Sequence, residues 1–393
     1  MSNLAEADPP VSTRSLKASS LRFADAVQNG GQEMTGFWQV RQRRKSQSEP
    51  RFSQMKTVTL SPKRRITAVA RSARSNKAGA GKIRIRRVLV PIDFSEASGQ
   101  AVEYAVALSK KFDADLDLVH AYEATNPIAG LAGIPLVVSD GELEHRIRRH
   151  LYDVARRHDL LLPKDNIHAV KGRAFEEVCR LAVNKNIDLI IIPTRGNTGL
   201  KHLVLGSTAE RIVRHSSCPV LVIRPSLSKR RRAPGLGVAS PVGFHRIVVP
   251  IDFSGCSLKG LTFAKRLARQ FGSTLILLHC MPPQYYLASE EYSRYDLPLL
   301  MGRIEKTARE QLRELVEEIE HDGIEVEADL EMGHPGQQIC VGAQDRGADL
   351  IVTSTHGNTG LKHVFLGSTA EYVVRHATCA VLVVPTRERP LLM

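Results

Sequence analysis

Two stretches of the sequence carry residues of the right type and spacing to cradle a phosphate. The first reads PTRGNTGLKHLVLGSTAE over 193–210 and the second STHGNTGLKHVFLGSTAE over 354–371. Gly196, Gly199 and Gly206 in one, and Gly357, Gly360 and Gly367 in the other, let a backbone approach a ligand closely and bend where side chains would resist. Gly206-Ser207-Thr208 and Gly367-Ser368-Thr369 then open a helix. A helix start offers unpaired N–H groups and the positive end of the peptide dipole, a combination that favours an anion. The same residues have a second use. Ser207 with Glu210, and Ser368 with Glu371, fit a capping box, and a capped helix needs no phosphate. Asp93 and Asp252 each follow an apolar run. A carboxylate is poorly placed beside phosphates but can accept hydrogen bonds from ribose hydroxyls or an adenine amine; its other use is as a turn or cap residue.

Other chemistries find little support. His202, His215, His363 and His376 lie at matching places, but no nucleophile and orienting partner accompany them, so surface or capping roles are expected. There is no GxxxxGK[ST] loop and no GxSxG elbow. The six cysteines form no CxxC pair and have no zinc-type spacing to histidine, which points to buried free thiols in a reducing compartment. No catalytic or metal-ligating set emerges.

The elements that must position these residues come in duplicate. RVLVPIDFSEAS at 87–98 returns as RIVVPIDFSGCS at 246–257, and 20 of the 28 residues in 196–223 are identical at 357–384. A period of about 160 residues is a domain duplication. In copy one, apolar runs predict strands at 87–92, 116–121, 167–170, 188–192 and 220–223. Helices are predicted over 96–113, 141–159, 174–186 and 207–216. Copy two repeats the strands at 246–251, 275–280, 324–328, 349–353 and 381–384. Strands alternating with helices imply right-handed βαβ units and a parallel sheet, so the fold class is α/β with two doubly wound, five-stranded domains. Ligands in such sheets bind beyond the carboxyl ends of the strands, at the point where strand order reverses. That rule selects the ends of strands one and four, where Asp93, Asp252 and the glycine loops lie. The expected organisation is a tail over 1–82, a domain over 83–226, a linker over 227–242 and a domain over 243–387.

Charge is concentrated outside the repeats. Residues 1–80 hold 15 Lys and Arg against 5 Asp and Glu, so +10 of the net +14 sits in the tail. A solvated, disordered tail is the simplest reading; contact with nucleic acid or an anionic surface and an organelle transit peptide are alternatives. No stretch reaches the roughly 20 apolar residues of a membrane span, and no secretory apolar segment opens the chain. A soluble cytoplasmic protein is expected.

VPIDFS after the first strand, followed by G-x9-G-S-T before the last helix, resembles the universal stress protein family, over essentially 83–387. The resemblance implies a Rossmann-like fold of the adenine nucleotide alpha hydrolase-like type and a nucleotide-binding member. ATP is the implied ligand, with magnesium, and AMP or ADP are alternatives. Phosphate contact falls to Gly206, Ser207, Gly367 and Ser368, and base or ribose contact to Asp93 and Asp252, with Pro91 and Pro250 shaping the wall. One departure stands out: the family signature begins with a glycine where this chain has Pro193 and Ser354. Proline has no N–H to donate, so copy two is expected to bind more tightly. The family also implies dimers joined through the last strand, so 220–223 and 381–384 are expected to pair within the chain as a pseudo-dimer; a homodimer and an unidentified protein partner are further expectations. The expected role is a nucleotide-binding stress or signalling module. A slow ATPase or self-phosphorylating enzyme on the same site is an alternative, as is a structural module with empty loops.

Overall fold

The computed structural model describes residues 83–123, 139–194, 205–224, 243–281, 297–357 and 366–386. The tail, the linker, Gly196, Gly199, Gly360, His202 and His363 lie outside the described residues. The first half runs β1 (Arg87–Pro91), α1 (Glu96–Phe112), β2 (Asp115–Tyr122), α2 (Asp140–Arg157), β3 (Ile167–Lys171), α3 (Ala174–Asn184), β4 (Leu189–Pro193), α4 (Ser207–His215) and β5 (Val220–Ile223). The second half runs β6 (Arg246–Pro250), α5 (Gly255–Phe271), β7 (Thr274–Met281), α6 (Leu297–His321), β8 (Val326–Met332), α7 (Pro335–Asp345), β9 (Leu350–Ser354), α8 (Ser368–His376) and β10 (Ala380–Val384).

All ten strands join one sheet in the order β3-β2-β1-β4-β5-β10-β9-β6-β7-β8. Among the described residues every pairing within each half is parallel, and the single antiparallel pairing is β5 with β10, where Leu221 lies opposite Leu382. The last strands therefore cover each other's edges, and β3 and β8 are the outer strands. Strand order reverses between β1 and β4, and between β6 and β9.

Helices cover both faces of the sheet, which is why the strands read as unbroken apolar runs. Alternate residues serve alternate cores. Val88 and Val90 face the core under α1 and α2, whereas Leu89 faces the one under α3 and α4. Each core is continuous across both halves: Leu221 and Leu382 belong to the first, Val220, Val222, Val381 and Val383 to the second. Local signals agree with this layout. Ser95, Ser139 and Ser254 cap α1, α2 and α5 by accepting from the N–H three residues on. Helix α1 ends on Asp113 at φ 54° where α5 ends on Gly272 at φ 68°, the left-handed geometry that glycine adopts without penalty.

The third strand of copy two starts at Val326 and runs to Met332 rather than covering 324–328. Its charged residues obscured it: Glu327 pairs with Arg246, and Asp329 and Glu331 with Arg346. The Arg346 side chain is only 3% exposed, and its guanidinium also donates to the Gly342 carbonyl. Burial works against its charge, but hydrogen bonds to Glu331 and Asp329 outweigh burial and hold it charged. In the first half, fully buried Asp117 accepts from Arg87 and meets His168 Nε2 at 2.8 Å.

Candidate functional site

In each half, strands one and four end side by side and the last helix begins against them. Thr194 continues β4, and its carbonyl accepts from the Gly206 N–H at 3.0 Å; in the second half the Thr355 carbonyl accepts from Gly367 at 2.8 Å. The glycine loop is thus closed at its base, which sets the start of α4 and α8 above the strand ends. A cleft opens there in both halves. Cleft one is lined by Pro91, Asp93, Pro193, Gly206, Ser207 and Thr208, with His120, Ala121 and Val178 behind them. Cleft two is lined by Pro250, Asp252, Ser354, Gly357, Gly367, Ser368 and Thr369, with Cys280 and His356. The cavities measure about 270 and 180 Å3. A water molecule's share of liquid volume is about 30 Å3, so among the described residues no side chain plugs either cleft.

The start of the last helix does not form the capping box that Ser207 with Glu210, and Ser368 with Glu371, offered as the alternative reading. Gly206 is the N-cap of α4 and Gly367 that of α8, and neither helix has a side-chain cap hydrogen bond. Ser207 and Ser368 are the first helical residues, one position too late to cap. The reason is conformational: an N-cap takes extended dihedrals, and Gly206 does so at φ −61°, ψ 143°. The first internal helical bonds run from Glu210 to the Gly206 carbonyl and from Glu371 to that of Gly367. The preceding N–H groups, of Ser207 to Ala209 and Ser368 to Ala370, therefore have no side-chain cap and sit at the positive end of the helix, facing the cleft.

Asp93 and Asp252 occupy the opposite wall. One oxygen, Oδ1, accepts from the N–H and the hydroxyl of Ser95 in the first half, at 3.0 and 2.6 Å, and from Ser254 in the second at the same distances. The turn role foreseen for these aspartates is thus served by Oδ1. Oδ2 of Asp252 reaches towards the loop: a Cβ added to Gly357 would lie 2.6 Å from it. Gly357 is required for that close approach. The turn itself places Phe94 and Phe253 at φ 62° and 61°, an unfavourable left-handed geometry for a bulky residue.

Several residues lining the clefts or standing behind them escape the sequence analysis. His120 Nδ1 donates to the Ile92 carbonyl at 2.6 Å and His279 Nδ1 to that of Ile251 at 2.7 Å, and each ring packs against the strained phenylalanine. Since a carbonyl only accepts, each ring carries a proton on Nδ1. The signal for them was the repeat: VHA and LHC stand 159 residues apart. His356 Nδ1 lies 2.9 Å from Thr355 Oγ1 and 3.1 Å from Thr386 Oγ1, while the Ser354 hydroxyl donates to the His356 carbonyl. His215 and His376 each donate to a carbonyl of their own helix, as the capping reading expects.

All six cysteines are free thiols. Burial pushes Cys179, Cys280 and Cys379 up to about 12 and Cys340 up to about 11. They remain protonated near neutrality. Among the described residues no group of three or more His, Cys, Asp or Glu side chains could hold a metal ion, and no helix is long and apolar enough to cross a membrane.

A sequence model described as "Universal stress protein family" matches residues 84–224 and again 243–385. A universal stress protein of Synechocystis is 31% identical over 152 residues, covering 36% of this chain and 99% of that protein. One from Mycolicibacterium smegmatis is 25% identical over 312 residues, covering 76% of this chain and 97% of that protein. The crystal structure of a universal stress protein from Archaeoglobus fulgidus superposes with a TM-score of 0.52 at 24% identity, over 77% of this chain and 97% of that one.

Proposed function

The chain belongs to the universal stress protein family, with two domains in tandem, and from that premise we propose that each half binds an adenine nucleotide, ATP foremost, as a stress-response or signalling module. The observation that carries this reading is the cleft itself, built twice. On one side stands a helix start without a side-chain cap, on the other an aspartate, with proline and aliphatic walls between them.

In this reading the N–H groups at Ser207 and Thr208, and at Ser368 and Thr369, hold the phosphates against the helix dipole. Gly196, Gly199 and Gly360 belong to the same loops. Asp93 and Asp252 accept from ribose or adenine, and Pro91 and Pro250 bound the base. A magnesium ion would arrive with ATP, held by its phosphates. The cradle fits a group that needs close backbone approach, since a Cβ at Gly367 would come within 3.3 Å of the Thr355 carbonyl. Nucleotide would order the glycine loop, and a protein partner would sense the change.

Cleft two is the tighter site. Both Pro193 and Ser354 line their clefts, and only Ser354 has an N–H to offer. Calorimetric titration of the purified chain with ATP tests the reading. Two binding events are expected, and Gly367→Val should abolish the tighter one while circular dichroism stays unchanged. Absence of any nucleotide, copurified or titrated, would reduce the pair to a structural module; sustained phosphate release would make it an enzyme.

A further inference from the structure

Helices α4 and α8, whose starts bound the two clefts, are joined by an ion-pair cluster that is not symmetric. Glu210 lies in the first turn of α4, and Arg214 of the same helix donates to its Oε1 at 2.8 Å. Its other oxygen, Oε2, accepts from Arg375 of the second half, also at 2.8 Å. Arg375 simultaneously meets Glu371 of its own helix at 2.8 Å. The symmetry-equivalent reach, from Arg214 to Glu371, is not made. The reason lies at the ends of the paired strands. Arg224 follows β5 and donates to the Val374 and Arg375 carbonyls, capping the C-terminus of α8 from the other half. Its counterpart after β10 is Pro385, which has no side chain to reply with.

We propose that Arg375 is a positioning residue for cleft one, supplied by the second half. The inference rests on the nucleotide reading above. At 1.5 Å of rise per residue, Glu210 stands about 6 Å along the axis from Gly206. That is within the roughly 8 Å screening length of physiological salt, so an uncompensated carboxylate there repels a phosphate at the helix start. Glu210 is compensated by two guanidinium groups, one of them foreign to its domain. Cleft one is therefore complete only when the second domain is docked. Cleft two has no such dependence on the first domain's charges, because Glu371 takes its partner from its own helix.

The test needs one reporter per cleft in the intact chain. Thr208 lines cleft one and Thr369 lines cleft two. The methyl NMR shifts of these two threonines, followed against increasing ATP, give a binding curve for each cleft. Arg375→Gln should weaken cleft one on the order of three- to tenfold, an effect that shrinks in high salt. Arg375→Lys should recover most of it. Arg214→Gln should weaken cleft one and leave cleft two unchanged. In a Glu210→Gln background Arg375→Gln should lose its effect on cleft one, and Glu210→Gln alone should tighten that cleft. An unchanged cleft-one curve in Arg375→Gln, or an equal loss with Gln in place of Glu210, overturns the cross-domain role. Failure of ATP to shift either methyl in the parent chain overturns the nucleotide reading instead.

Discussion

Gly357 offers the sharpest test of how the second cleft is built. Its conformation does not demand glycine; its neighbour does. A Cβ at this position would stand 2.6 Å from Oδ2 of Asp252, closer than real Cβ contacts come. Asp252 is short and is held through Oδ1 by the N–H and hydroxyl of Ser254. Gly357→Ala must therefore rotate the carboxylate away and weaken both bonds. Hydrogen bonds to a charged acceptor contribute about 1.5–3 kcal/mol each, and these are only partly buried, so a total loss of about 2 kcal/mol is expected. At about 2–4 °C per kcal/mol for a domain of this size, the melting temperature should fall by roughly 5 °C. In the proposed nucleotide reading cleft-two affinity should fall as well, because the displaced aspartate would no longer face the base. Gly255→Ala is the control: nothing lies within 4 Å of a Cβ there, and it should be neutral or stabilising by about 0.5 kcal/mol. Scanning calorimetry and ATP titration read both. In the double variant with Asp252→Ala, the Gly357→Ala penalty should vanish. Gly357→Ala behaving like Gly255→Ala, or adding fully to Asp252→Ala, would refute the argument.

Other consequences are equally measurable. Arg346→Ala strands Asp329 and Glu331 in a buried site and should cost about 3–5 kcal/mol in urea unfolding, with Arg346→Met costing as much since the carboxylates remain. The raised thiols make the fold sensitive to alkali: a pKa raised by folding contributes stability that is complete below the ordinary value of 9.0 and is lost as pH rises towards 11–12. Each thiol should contribute a decline of up to about 1.4 kcal/mol per pH unit above 9, less for the half-exposed Cys340, and Cys→Ala variants compared by urea unfolding at pH 8 and 10 should flatten the curve. Both cores run through β5 and β10, so calorimetry should show one transition for the two domains; two separate transitions would contradict the shared core.

The duplication made most of this legible from residues alone. Apolar runs doubled at a fixed distance specify parallel strands, and the reversal of strand order then brings Asp93 and Asp252 to the glycine loops without any further information. What escaped depends on quantities that a one-dimensional pattern does not carry. Ser207 and Glu210 have capping-box spacing, yet whether serine or the preceding glycine takes the extended cap geometry is decided by how the loop returns to Thr194. Phe94 and Phe253 look like ordinary core aromatics, whereas the turn around the aspartate forces them into a left-handed geometry. The strand predicted at 324–328 stops short of Met332 because Asp329 and Glu331, which pair with Arg346 from a distant segment, interrupt the apolar pattern.

The cross-domain contacts were hidden for a related reason: Arg375 and Glu210 become neighbours only once β5 and β10 are paired. That pairing has a cost in symmetry. Separate identical chains meeting through this strand would repeat every cross-contact twice, once from each side. A tandem chain can drift, and here Arg224 against Pro385, and Ser354 against Pro193, have drifted in different directions. The first difference gives the first domain a hold on helix α8, whose Arg375 reaches back to Glu210; the second leaves a backbone N–H at the position where cleft one has a proline. Both favour one order of events. In the nucleotide reading proposed above, the second domain would fill at lower nucleotide concentration, and the first, which leans on Arg375, would bind more weakly once helix α8 is displaced. A perturbation of α8 should therefore be felt in both clefts, and one of α4 in its own cleft alone, a directionality that two equivalent domains could not produce.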